Sequence, residues 1–118
     1  MPYGTFLVIE VEQPEGISTR KLVLETAKHN VITAYDGKEG LRLLERFPAV
    51  DAVVVHSRIQ PMGCRELAET VKQKRPELPV VIVAPDQSYD CTKVDKVISS
   101  HSPQDLLNTL EDLLGKTA

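Results

Sequence analysis

The sequence predicts a doubly wound α/β domain, with a five-stranded parallel sheet in the order 2-1-3-4-5 and helices on both faces. Three observations lead there. Short apolar runs alternate with segments of helical spacing along the whole chain. The runs AVVV at 52–55 and PVVIVA at 79–84 are unbroken, which marks strands buried on both faces. The length, 118 residues, suits one domain, 1–118, with an ordinary core. Short right-handed crossovers make such a sheet parallel, and 2-1-3-4-5 is the usual order at this size.

Residues 5–11, TFLVIEV, read as the first strand. Residues 15–29 suit a helix with Ile17, Leu24 and Ala27 near one face. Its outer residues Arg20, Lys21, Glu25 and Lys28 form a solvated face, which serves equally for docking. NVITA, residues 30–34, is a short second strand. Asp36 then caps a helix, and Glu39 three residues later completes a capping box. Leu41, Leu44 and Phe47 follow at helical spacing.

DAVVVH, residues 51–56, is the third strand and the central one. A helix over 64–74 turns Leu67, Ala68 and Val71 inward. PVVIVA at 79–84 and KVIS at 96–99 are the fourth and fifth strands. Ser102 caps the last helix, Pro103 takes its first position and Asp105 meets the positive end of its dipole. Leu106, Leu110, Leu113 and Leu114 form its buried stripe, and Gly115 is a helix stop.

Composition excludes several classes. Net charge is −3, from 17 acids and 14 bases, so nothing electrostatic favours nucleic acid or an acidic membrane. No apolar run approaches the ~20 residues of a membrane span, and the N-terminus is not a signal peptide. Cys64 and Cys91 fit no metal or redox spacing, as expected of reduced thiols in a cytoplasmic protein. No nucleophile–base pair or phosphate loop marks an enzyme. Beginning shortly before the first strand and ending just after the last helix, the chain suits a free-standing domain or the N-terminal piece of a longer protein.

The crevice of a doubly wound sheet lies beyond the carboxyl ends of strands 1 and 3. Glu10, Glu12 and His56 fall there. A lone histidine at a strand exit is more often a satisfied polar group than a reactive one. The alternative is a metal- or small-ligand-binding sensor built on Glu10, Glu12 and His56, which has no second His or Cys close by. Cys64 lies near the same crevice at a helix start, where a thiolate would be favoured. His29 and His101 have no partner at fixed spacing. Tyr89 is an anchor for a partner or a cover for the core.

From Thr5 to Leu114 the chain resembles the receiver domain of two-component response regulators. The resemblance is carried in order by FLVIEVE, NVITAYDGKEGLRLL, DAVVVHSRIQPMGCREL, PVVIVAP and SSHSPQDLL. It implies an aspartate phosphorylated at the end of strand 3 and adjacent acids at the end of strand 1 holding magnesium. It also implies a Ser or Thr ending strand 4 and a Lys ending strand 5, both on the phosphoryl oxygens. Metal and lysine offset the charge that gathers during transfer.

Carried over position by position, the acceptor falls on His56 and the acidic pair on Glu10 and Val11, followed by Glu12. The hydroxyl falls on Ala84 and the lysine on Ser99, or on Ser100 with a shift of one. Gln60 stands where the family has proline, and Pro61 follows. Only Glu10 keeps its charge; Val11 offers magnesium no oxygen. The segment 84–99 is too short for a full fourth helix. The resemblance therefore implies a degenerate pseudo-receiver without cofactor or catalytic residue. It would be a cytoplasmic, bacterial protein–protein interaction module with an unidentified protein partner, and a homodimer is compatible with it.

Overall fold

The computed structural model of the protein describes residues 4–10, 24–56, 63–84, 96–99 and 103–117. Among these, the valine-rich runs form the middle of a sheet. Strand β1 spans Thr5–Ile9, β2 Asn30–Ala34, β3 Ala52–His56, β4 Val80–Ala84 and β5 Lys96–Ser99. All neighbours pair in parallel, in the order β2-β1-β3-β4-β5. Every residue of β4 is buried, as are Ala52 to Val55 of β3. Burial on both faces is what their unbroken apolar sequence requires.

The strands alternate their side chains between two cores. Leu7, Ile9, Val53, Val55, Val80 and Ile82 face helices α1 (Gly37–Arg46) and α2 (Cys64–Lys74), which contribute Leu44, Leu67, Ala68 and Val71. Phe6, Val8, Ala52, Val54, Val81 and Val83 face the other way, onto Leu24 and onto Leu106, Leu110 and Leu114 of helix α3 (Pro103–Thr117).

The capping box forms at α1. The Glu39 amide donates to Asp36 Oδ1 at 2.7 Å, and Glu39 Oε1 reaches back to the Tyr35 amide at 3.2 Å. Gly40 permits close approach of α1 to β1, since a Cβ there would lie 2.8 Å from Ile9 Cγ1.

Several boundaries differ from those read in the sequence. β1 stops at Ile9, because its neighbour β2 ends at the paired residue Ala34. Phe47 is 42% exposed, because α1 ends at Arg46 and the ring leaves the helix stripe at the C-cap. Gly115 does not stop α3, which continues to Thr117. A glycine ends a helix only by taking a left-handed conformation, and within the helical region it adds a small local cost. Of the helix expected over 15–29, residues 24–26 are helical and turn at Ala27 and Lys28. The rest of it, the Ser102 cap and the shortened segment 85–95 lie outside the described residues.

His29 is the one buried residue whose role the sequence concealed. It is 4% exposed and stacks edge-on against Phe6 at 5.2 Å. The Gly4 amide donates to its Nδ1 at 3.0 Å. That leaves the ring proton on Nε2, which lies 3.2 Å from Glu111 Oε2. One imidazole thus joins the start of β1, the entry to β2 and the outer part of α3.

Two substitutions test this packing by urea unfolding. Gly40→Ala gains helix propensity of up to ~1 kcal/mol but overpacks the buried Ile9 at a cost of ~1–3 kcal/mol; a lower midpoint is expected. His29→Leu strands the buried Gly4 amide and is expected to lower stability by ~1–3 kcal/mol.

Candidate functional site

The carboxyl ends of the strands bring four of the sequence-predicted positions to one edge of the sheet. Ile9 pairs with Val55, so the next residues, Glu10 and His56, end adjacent strands. His56 pairs in turn with Val83, and Ala84 with Ser99. The edge therefore reads Glu10, His56, Ala84, Ser99 from β1 outward, with Ala84 and Ser99 one step beyond the row of His56. Val11 and Glu12 lie outside the described residues, as do His101, Tyr89, Cys91, Arg20 and Lys21. Cys64 is the first residue of α2.

Glu10 is 2% exposed, and its amide donates to the Ala34 carbonyl at 2.9 Å, extending the β1–β2 ladder by one bond. By strand alternation Glu10 and His56 follow Val8 and Val54 on the face covered by Leu24 and α3. Ala84 belongs to the opposite face, packed with Ile82 and Val55 and fully buried. His56 is half-buried, and both it and Glu10 are engaged by other groups.

Among the four described positions Glu10 brings a carboxylate, His56 an imidazole, Ser99 a hydroxyl and Ala84 only a methyl group. Magnesium takes a near-octahedral, oxygen-dominated shell and is held by carboxylates and waters. Glu10 is the one carboxylate among these four positions, and among the described residues no group of three His, Cys, Asp or Glu side chains converges. The described residues alone therefore do not assemble the metal site that the receiver resemblance implies, and none of the four positions carries a lysine or arginine for phosphoryl oxygens.

A surface hollow of about 150 Å³ lies at the opposite pole, between the C-terminal ends of α1 and α2, lined by Leu44, Glu45, Pro48, Lys74 and Arg75. Lys74 bonds Glu45 at 2.8 Å and Arg75 the Pro48 carbonyl at 2.8 Å. The Lys74 hydrogen bond holds the Glu45 carboxyl below its ordinary range. Both cations serve the helix ends, and the hollow contains no nucleophile.

No protein-family model matches the chain, and no curated protein matches it significantly. Solved structures do. A response regulator receiver domain protein from Clostridium thermocellum is 21% identical, with a TM-score of 0.83 over 97% of this chain and 96% of that one. A CheY-like receiver domain protein from Methanospirillum hungatei JF-1 is 21% identical, with a TM-score of 0.82 over 98% and 96%. The receiver domain of the sensor histidine kinase PA1611 from Pseudomonas aeruginosa PAO1, which holds a magnesium ion in its active-site cleft, is 15% identical, with a TM-score of 0.83 over 97% and 99%. The chain has the CheY-like fold of response-regulator receiver domains.

Restoring a hydroxyl at the end of β4 has a structural cost. Ala84→Thr places a branched polar side chain in a fully buried position and is expected to lower stability by ~1–3 kcal/mol in urea unfolding.

Proposed function

We propose that the protein is a pseudo-receiver, a phosphorylation-independent protein–protein interaction module of bacterial signal transduction acting in the cytoplasm. One observation carries the reading: β3 ends in His56 in a sheet whose order and core are otherwise those of a receiver. Phosphoryl transfer to a receiver needs a carboxylate nucleophile, a metal to gather charge, and a hydroxyl and a cation on the phosphoryl oxygens. His56, Val11, Ala84 and Ser99 replace those groups with residues that do none of these things. An imidazole can attack phosphorus, but the positions that would offset the transferred charge hold Ala84 and Ser99, neither of them a cation. What the fold retains is surface, and its ligand is a protein partner.

No described helix is long and apolar enough to cross a membrane.

Incubation with acetyl phosphate and magnesium is expected to leave the intact mass unchanged, for the wild type and for His56→Asp alike, because one carboxylate restores neither metal site nor cation. A phosphoryl-sized mass increase abolished by His56→Ala would overturn the reading. Calorimetric titration with divalent metals is expected to give no tight binding. Tight binding lost on changing Glu10, Glu12 or His56 would replace the interaction module with a ligand sensor.

A further inference from the structure

The start of β1 is held by ionisable side chains from two sides. Gly4 is buried, and its amide donates to His29 Nδ1 at 3.0 Å. The Thr5 amide donates to Asp51 Oδ2 at 2.9 Å. The backbone completes the stitch. The Asn30 amide donates to the Gly4 carbonyl at 2.9 Å, and the Asp51 amide to the Thr5 carbonyl at 2.7 Å. Gly4 also lies against the C-terminal part of α3, where a Cβ on it would stand 2.9 Å from Leu114 Cδ1.

The chain turns sharply to deliver His29 to this place. The Lys28 amide donates to the Glu25 carbonyl at 2.9 Å, and the His29 amide to the Leu24 carbonyl at 3.0 Å. Those two bonds form a Schellman stop, with Lys28 at φ 70° in the left-handed position that glycine usually fills. A lysine there carries a local conformational cost, which the surrounding contacts must offset. The turn seats the buried imidazole between Phe6 and α3.

We propose that His29 is a proton-operated latch on the start of β1, closed while its imidazole is neutral and opened when Nδ1 takes a proton. The neutral ring carries its hydrogen on Nε2, toward Glu111, and offers Nδ1 as an acceptor to Gly4. Imidazolium is a donor at both nitrogens. Its Nδ1–H faces the Gly4 N–H, donor against donor, among buried groups. A buried amide without an acceptor is costly, so the charged ring is accommodated by moving the Gly4 end away. Glu111, 3.2 Å from Nε2, accepts from the ring in both states and favours the charged one. Among the described residues the other charged groups near this junction are Asp51, at the entry to β3, and the exposed Glu25 and Lys28 of the turn itself. The bond to α3 therefore persists on protonation, and the bond to β1 is the one released. None of these residues is a crevice position, so the latch does not depend on the pseudo-receiver reading.

Hydrogen exchange followed by NMR on the 118-residue chain tests this between about pH 8 and pH 5, the span in which imidazoles change charge. Each rate is taken relative to an unstructured amide at the same pH. Protection of the Gly4 amide is expected to fall about tenfold or more as the pH drops, while that of Val54, inside β3, holds. The ring-nitrogen shifts of His29 are expected to show the Nε2–H tautomer at the alkaline end and to change in step with Gly4. Glu111→Gln removes the carboxylate that favours imidazolium and is expected to move the opening to lower pH. His29→Asn keeps an acceptor near the place of Nδ1 but cannot titrate, and its Gly4 protection is expected to be independent of pH.

Gly4 protection that stays constant across the range, or a loss shared by Val54, would overturn the proposal. So would an opening that does not follow the charge of the ring. Should His29→Asn fail to fold, the wild-type comparison of Gly4 exchange with the ring-nitrogen shifts decides.

Discussion

The pairing of β1 with β3 constrains everything else in the molecule. Both strands have neighbours on either side, and Phe6 to Ile9 and Ala52 to Val55 are all apolar and buried. Phe6 and Val8 face α3 while Leu7 and Ile9 face α1 and α2. Each such side chain contributes ~1.5–3 kcal/mol by burial. An exposed ion pair such as Arg65–Glu69 contributes ~0–1 kcal/mol. Stability therefore resides in the apolar rows, and the ionisable residues that follow them stand at the carboxyl ends, Glu10 just past β1 and His56 closing β3.

That division separates the packing of the sheet from the side chains at its strand ends. Glu10 and His56 follow the apolar rows of β1 and β3 and are not members of either core cluster. Ala84 goes further. Where the receiver resemblance calls for a hydroxyl, the chain has a small apolar residue that joins the core of the α1 and α2 face. The end of β4 is part of the packing, while the end of β3 holds a titratable group. A sheet built this way is held together independently of which side chains stand at its strand ends.

Features set by local spacing were legible in the sequence. NVITA, the helix Cys64–Lys74 and the strand KVIS have the bounds their patterns indicate, and the capping box at Asp36 forms as DGKE predicts. The strand-end positions of His56, Ala84 and Ser99 were legible for the same reason, because the last residue of each of these strands follows from its apolar run. Features set by distant neighbours were not. β1 ends where β2 ceases to pair with it, which its own sequence TFLVIEV does not disclose. His29 has partners 25 and 82 residues away, Gly4 and Glu111, and no spacing rule connects them. Phe47 looked like core because it kept the period of α1, but the helix ended one residue earlier.

A doubly wound sheet has three kinds of place to meet another molecule: its strand ends, the outer faces of its helices and its edges. At the strand ends, no group of three His, Cys, Asp or Glu side chains converges among the described residues. The helix backs carry both signs of charge in local pairs, Arg65 with Glu69 and Lys74 with Glu45, which solvates a surface without giving it direction. Such pairs are weak individually and are screened by salt. The β2 edge differs in kind. Its outward amides and carbonyls must be hydrogen-bonded by something, and water is their only alternative to another strand. The bonds a strand makes there are fixed in spacing, and the side chains that flank them set register. The two edges of such a sheet thus offer surfaces where backbone geometry sets register, different in physical kind from strand ends that rely on side chains.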